Sequence, residues 1–127
     1  MESARAGDGI RSYRDLVAWQ RAFQLGLAVC RLTNCLPADE RFGLCSQLRR
    51  SAVSIASNIA EGYGRGSKAD YLRFLKISRG SLYELETQML FALEFAYIAT
   101  EQHSDIAEQI DDTARVLSGL IASLEKA

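Results

Sequence analysis

Apolar residues recur at spacings of three and four in four segments of the chain, and this period predicts four helices. The segments run from about residue 15 to 34, 39 to 61, 68 to 98 and 104 to 126. In chain order their apolar stripes are Leu16, Trp19, Phe23, Leu27 and Cys30; Leu44, Leu48, Ala52, Ile55 and Ile59; Tyr71, Leu75, Ser78, Leu82, Leu85, Met89, Ala92 and Ala96; and Ile106, Ile110, Thr113, Leu117, Leu120 and Leu124. Each stripe is interpreted as the face on which its helix packs.

The ends of the predicted helices carry their own signals. Ser12 with Asp15 and Ser67 with Asp70 have the spacing of a capping box, so each pair is expected to begin a helix. Three glycines within residues 62–66 follow the second segment. They are expected to end that helix with left-handed backbone geometry.

The third and fourth stripes alternate steps of four and three, which is a heptad pattern and favours helix crossing angles of about +20°. Short connections make successive helices antiparallel neighbours. The predicted fold is therefore all-α, an antiparallel up-down-up-down four-helix bundle formed by residues 13–127. Residues 1–12 are small and polar, and they are expected to form a flexible N-terminal tail.

Composition argues against several classes of function. The single histidine, His103, has no companion ligands, no Glu-x-x-His motif occurs, and one histidine in the chain limits Ser-His-Asp chemistry. We therefore expect neither an enzyme nor a cofactor or metal. Three cysteines without a CxxC pair favour a reducing compartment. The lack of a signal peptide and of a run of about 18 apolar residues predicts a cytoplasmic protein with no membrane partner.

Charge is divided unevenly along the chain although the net charge is only −1. Residues 41–79 hold eight bases and two acids, whereas residues 80–127 hold two bases and nine acids. The candidate nucleic-acid-binding residues are Arg49, Arg50, Arg65, Lys68, Arg73, Lys76 and Arg79. Such bases suit a sequence-independent contact with a phosphate backbone. The alternative is a solvated basic face, or one that pairs with the acidic fourth helix of a neighbouring subunit.

A second group of candidates is structural. Polar residues lie near the apolar faces of the second and third segments, where a buried polar group has to be satisfied internally. Glycine at position 80 costs about 1 kcal/mol of helix propensity relative to alanine, which suggests the close approach of another helix. The predicted polar cluster that sets helix register consists of Asn58, Glu61, Gly80, Ser81 and Glu84.

Several stretches together resemble one known family. They are residues 13–20, 42–44, 47–50, 54–62 and 80–86, and the most specific are Asn-Ile-Ala-Glu-Gly at 58–62 and Gly-Ser-Leu-Tyr-Glu-Leu-Glu at 80–86. The chain resembles the four-helix bundle proteins encoded by intervening sequences in bacterial 23S ribosomal RNA genes, some of them labelled ribosomal protein S23. A related branch comprises the accessory proteins of diversity-generating retroelements, which look like basic pentamers that bind a reverse transcriptase and nucleic acid.

The resemblance implies a bundle that assembles into a homo-oligomer, with a pentameric ring as the favoured form. The leading hypothesis is accordingly a non-enzymatic homo-oligomeric adaptor whose basic surface in residues 41–79 contacts RNA, such as ribosomal RNA, or another nucleic acid. The alternative is a purely structural or protein-binding oligomer. In that case the basic and acidic patches pair between subunits, and no nucleic acid is bound.

Overall fold

Four α-helices account for most of the computed structural model, which describes residues 9–127. They are α1 (Val17–Leu32), α2 (Leu44–Tyr63), α3 (Lys68–Glu94) and α4 (Thr100–Lys126). Single 3₁₀ turns lie at Tyr13–Asp15, Thr33–Cys35 and Ala38–Glu40. No strand occurs between residues 9 and 127. The predicted tail lies mostly outside the described residues, which leave out positions 1–8.

The helices form a four-sided bundle. Each helix packs against the next one along the chain, and α1 also packs against α4, while the diagonal pairs make no comparable contact. Short connections produce this arrangement because they return each helix antiparallel beside the previous one. The predicted all-α antiparallel bundle is confirmed.

The predicted packing faces of three helices form the core. The α4 stripe from Ile106 to Leu124 is buried throughout. The α2 stripe is buried except for the half-buried Leu44, and the α3 stripe is buried from Tyr71 to Ala92.

The predicted packing face of α1 is wrong for most of its length. The residues of α1 that enter the core are Ala18, Ala22, Leu25, Gly26 and Val29. Trp19, Leu27 and Cys30 are only half-buried, and Phe23 is 43% exposed. These four residues lie about a quarter-turn further round the helix, beside α2. The helix therefore carries two apolar faces, and the larger side chains lie on the outer one.

The third helix is four residues shorter than predicted. It ends at Glu94, and Ala96 is exposed with a positive φ of 61°. The Ala96 N–H donates to Leu93 O and the Tyr97 N–H donates to Ala92 O, which is the hydrogen-bond pattern of a Schellman motif. Because the left-handed position holds alanine where glycine is usual, no local signal marked this helix end. Helix α4 then begins at Thr100, four residues earlier than predicted.

The predicted capping residues bind as expected, but one pair begins a different element. Ser67 Oγ accepts the Asp70 N–H at 3.1 Å and caps α3. Ser12 Oγ accepts the Arg14 N–H, and the Asp15 carboxylate accepts the Ser12 N–H, so the box caps a 3₁₀ turn. Helix α1 starts two residues after that turn.

Two glycines in the segment 62–66 have different roles from the predicted one. Gly62 is still inside α2, and a Cβ at this position would lie 2.8 Å from Phe74 Cβ and 3.1 Å from Tyr71 O. It therefore permits the close contact between α2 and α3. Only Gly66 has left-handed backbone geometry, with a φ of +88°, and it precedes the Ser67 cap.

The connections at one end of the bundle are tied together by Glu40. Its carboxylate accepts the Leu44 N–H at 2.9 Å, which caps α2, and the Tyr97 hydroxyl at 2.8 Å. The Leu44 N–H and then the Tyr97 hydroxyl lower the pKa of Glu40 below its ordinary value, because both stabilise the carboxylate. Hydrogen bonding to that carboxylate correspondingly raises the pKa of Tyr97.

Candidate interaction surfaces

An open apolar groove of about 310 Å³ runs between α1 and α2 on the outside of the bundle. Its lining residues are Tyr13, Trp19, Ala22, Phe23, Gly26, Leu27, Cys30, Ala52, Val53, Ala56, Ser57 and Ala60. The outer stripe of α1 forms one wall. Val53, 53% exposed, stands on the α2 wall. The outer stripe of α1 is thus a surface feature of the folded chain.

Small residues form the floor of the groove because the two helices approach closely there. A Cβ placed on Gly26 would lie 3.4 Å from Ala52 O. At the rim the Trp19 and Phe23 rings stack with centroids 4.9 Å apart, and Tyr13 meets Trp19 edge-on at 5.3 Å. The result is a trough with a flat backbone floor and an aromatic edge, a shape that accepts large apolar side chains.

A second unpartnered feature lies on the outer face of α3. Ile77, Gly80, Glu84, Thr87 and Phe91 are exposed and follow steps of three and four, so they form a stripe on the side away from the core. Ile77 is 43% exposed and Phe91 is 52% exposed. We call these five residues the outer seam. It repeats the heptad spacing of the buried stripe of the same helix.

The seven candidate bases do not come together in one patch. Arg49 and Arg50 lie near the start of α2, whereas Arg65 and Lys68 lie beyond its other end, more than about 20 Å away along the helix axis. Arg49 Nε donates to Thr33 Oγ1 at 2.8 Å and joins α2 to the end of α1.

Two of the bases form a local cluster with acids at the α2–α3 turn. Arg65 lies 3.3 Å from Glu61 and 3.6 Å from Asp70, and Arg73 lies 3.5 Å from Asp70. Both guanidinium groups also pack on the Phe74 ring, at 5.3 Å and 4.5 Å from its centroid. Lys68 is exposed beside them. The acids offset most of this positive charge.

The remaining two bases, Lys76 and Arg79, face α4. Lys76 Nζ lies 2.8 Å from the carboxylate of Glu125, which is near the end of α4. The Lys76 hydrogen bond, its charge and the nearby charge of Arg79 lower the pKa of Glu125. The basic and acidic regions therefore pair partly within the chain itself.

The predicted polar cluster is only partly assembled. Ser54 Oγ lies 2.6 Å from Ser81 Oγ and accepts the Asn58 side-chain N–H at 3.1 Å, so Asn58 and Ser81 meet through a serine that the sequence did not single out. Ser78 Oγ donates to Ile55 O at 2.8 Å and adds a second bond between α2 and α3.

The other three predicted members stay outside this cluster. Glu61 and Glu84 are exposed, and Gly80 is exposed with open space where a Cβ would stand. Among residues 9–127 no other helix uses the close approach that glycine offers at position 80.

The three cysteines differ in exposure and are all free thiols. Cys45 is buried, Cys35 is exposed and Cys30 lines the groove; none is in a disulfide. Within residues 9–127 no group of three or more His, Cys, Asp or Glu could hold a metal ion. None of the helices described between these positions is long and apolar enough to cross a membrane.

The fold and these surfaces define a helical-bundle protein whose candidate interaction surfaces lie on the outside of the bundle. The family model for the 23S rRNA-intervening sequence protein matches residues 14–119, and the chain belongs to this family. A solved structure from Bacteroides thetaiotaomicron, titled a protein with unknown function from the S23 ribosomal protein family, is similar in fold with a TM-score of 0.78. It is 24% identical, and the match covers 84% of this chain and 96% of that one. A comparison with curated proteins gives no match.

Proposed function

We propose that this protein is a non-enzymatic helical adaptor that acts as a homo-oligomer of five subunits. The observation that carries the proposal is the second apolar face of α1. Trp19, Phe23 and Leu27 stay at the surface around the groove although the same helix buries a complete set of smaller residues. Contiguous exposed apolar surface of this kind marks interaction sites on soluble proteins.

The first experiment measures the mass of the purified protein by light scattering over a range of concentrations. A pentamer of this 14.1 kDa chain has a mass of about 70 kDa. A multiple of the chain mass that persists on dilution supports the proposal. A monomer at every concentration and salt condition overturns it.

A second candidate function is RNA binding by the assembled adaptor. The observation that favours it is the pair of guanidinium groups of Arg65 and Arg73 held on the Phe74 ring, with Lys68 beside them at the start of α3. Arginines fixed in this way suit phosphate contacts. A helix start also attracts anions.

RNA affinity measured against salt concentration tests this candidate. We compare the wild type with a triple variant, Arg65→Ala, Lys68→Ala and Arg73→Ala, and with a control triple variant, Arg11→Ala, Arg14→Ala and Arg115→Ala. Loss of three phosphate contacts should reduce the salt slope by about 2 to 3. Equal slopes for the two triple variants, at unchanged mass, would exclude this surface.

A further inference from the structure

We infer that the outer seam of α3 in one copy of the chain docks into the α1–α2 groove of the next copy. This inference rests on the proposed homo-oligomer and names its two contact surfaces. The groove supplies a floor of small residues and an aromatic rim. The seam supplies a helix ridge whose two large apolar side chains, Ile77 and Phe91, are about half exposed.

The lengths of the two surfaces match. The groove wall from Trp19 to Cys30 extends about 17 Å along α1, and the seam from Ile77 to Phe91 extends about 21 Å along α3, at 1.5 Å per residue. The two large apolar residues, about 21 Å apart, therefore fall at the two ends of the groove. Gly80 lies between them with open space around it, so a partner backbone can approach closely.

Charge gives the docked helix a direction. Arg31 lies at the end of the groove where α1 finishes, and Glu61, which is 3.3 Å from Arg65, lies toward the other end. Along α3 the charge changes from Arg73 near its start to Glu94 at its end. Opposite charges meet only when the end of the incoming α3 lies at the Arg31 end of the groove.

That direction determines the symmetry of the assembly. The incoming α3 runs antiparallel to the α2 it contacts, as does the α3 of the same subunit, so all subunits point the same way. The groove and the seam are different surfaces that face different directions, and the contact is therefore heterologous. Repeated around an axis parallel to the helices, such a contact closes into a ring.

A mixing experiment with two single variants tests this docking. Val53→Glu places a charge in the groove, and Phe91→Glu places one on the seam. Both positions are exposed in the subunit, so both variants should keep the wild-type helical signal. The control is Ser118→Glu, at an exposed position of α4 outside both surfaces.

Each variant alone should be monomeric, because every contact in the ring needs one groove and one seam. Mixed in equal amounts, the two variants should form a dimer of about 28 kDa from two 14.1 kDa chains, and nothing larger. The intact groove of the Phe91→Glu chain then binds the intact seam of the Val53→Glu chain. The Ser118→Glu protein should keep the wild-type mass.

The outcomes separate the two proposals. An oligomeric wild type whose mass survives both substitutions overturns the docking and leaves the adaptor proposal standing. Two monomeric variants that do not combine on mixing also overturn it, because a contact between identical surfaces would behave in that way. A monomeric wild type overturns both proposals.

A matched pair of glycines gives an independent test. Gly80 and Gly119 are both exposed helix residues with open space where a Cβ would stand. Gly80→Gln should weaken assembly at least 10-fold in the concentration needed for half-association, while Gly119→Gln should leave it unchanged. Equal effects of the two substitutions would contradict the predicted approach at Gly80.

Discussion

Helices α1 and α4 both carry apolar stripes with steps of three and four, but only that of α4 faces the core throughout. The α4 stripe from Ile106 to Leu124 is completely buried. In α1 the stripe with the large residues Trp19, Phe23 and Leu27 lines an outer groove, and the core receives mainly the smaller residues beside it. A helix with one apolar face has one possible orientation. A helix with two apolar faces is oriented by its neighbours, and the face that remains outside is available to bind.

The largest expected effect is a loss of stability on substitution in α1, and measuring it tests this comparison directly. Leu25→Ala should destabilise the subunit by about 2–5 kcal/mol, because Leu25 is fully buried and its removal leaves a cavity. Leu27→Ala should cost less than about 1 kcal/mol in the free subunit, since Leu27 lines the groove. Urea denaturation at low protein concentration measures both.

Leu117→Ala in α4 is the matched control for Leu25→Ala, because both leucines are fully buried. Its cost should fall in the same range. Equal destabilisation by Leu25→Ala and Leu27→Ala would show that the two faces of α1 contribute alike to the subunit, and the comparison with α4 would fail.

Helix α2 extends the comparison, because one of its sides forms the groove and the other packs tightly on α3. Gly62→Ala should destabilise the protein by about 1–3 kcal/mol, since the new methyl group would overlap Phe74 Cβ at 2.8 Å. Thermal unfolding checks the effect. Gly64→Ala is the control, because a Cβ there meets nothing closer than 3.7 Å and its φ is −86°.

A substitution in the connection between α3 and α4 should stabilise the protein. Ala96→Gly should raise the free energy of unfolding by about 0.5–1 kcal/mol, because glycine adopts the left-handed conformation without the steric cost that alanine bears there. Ala99→Gly, at the extended residue that precedes α4, should not stabilise the protein. A loss of stability in the Ala96→Gly variant would contradict the assigned backbone strain.

The smallest expected effect is on the loss of thermal stability at low pH. The folded-state pKa of Glu40 is lowered, so its contribution to stability is present above its ordinary pKa near 4.5 and is lost as pH falls through the lowered value. Glu40→Gln should therefore flatten the decline in thermal stability between about pH 5 and 3. Tyr97→Phe should flatten it less, because the Leu44 N–H bond is the larger cause of the shift.

A second carboxylate, that of Glu125, serves as the reference for this pH measurement. Glu125 also has a lowered pKa, caused first by its hydrogen bond to Lys76, and it lies far from Glu40 along the bundle. The Glu40→Gln variant should retain the part of the acid decline that Glu125 contributes. An acid decline identical to that of the wild type would show that Glu40 does not titrate as assigned.

Much of the fold could be predicted because its signals are local. Periodic apolar residues, the Ser67 cap and short connections predicted four antiparallel helices, and the family resemblance agreed. The end of α3 could not be predicted, because Ala96 is held in its left-handed conformation by the bonds of Tyr97 and of Ala96 itself to the last turn. The first turn of α4 was missed because its cap is Ala99, whose N–H is accepted by the Gln102 side chain.

The candidate surfaces could be predicted less well. The seven bases are near one another in sequence, but α2 separates Arg49 and Arg50 from Arg65, Lys68 and Arg73, and Lys76 and Arg79 face α4 instead. Of the polar cluster, only Asn58 and Ser81 meet, through Ser54. One feature of the sequence could have indicated the groove. Helix α1 has a second apolar stripe, from Ala18 to Val29, which could also form the packing face.

The sequence by itself determined the number, the order and the antiparallel arrangement of the helices, since these depend on periodicity and connection length. It also determined that α1 carries large apolar residues, which the pattern alone assigned to its packing face. Only the tertiary structure decided which α1 face entered the core. Ala22 and Gly26 let the backbone of α2 come close, and the bulkier side chains of Trp19 and Phe23 could not occupy that space. The groove that they leave open is a property of the packed bundle and not of any one helix.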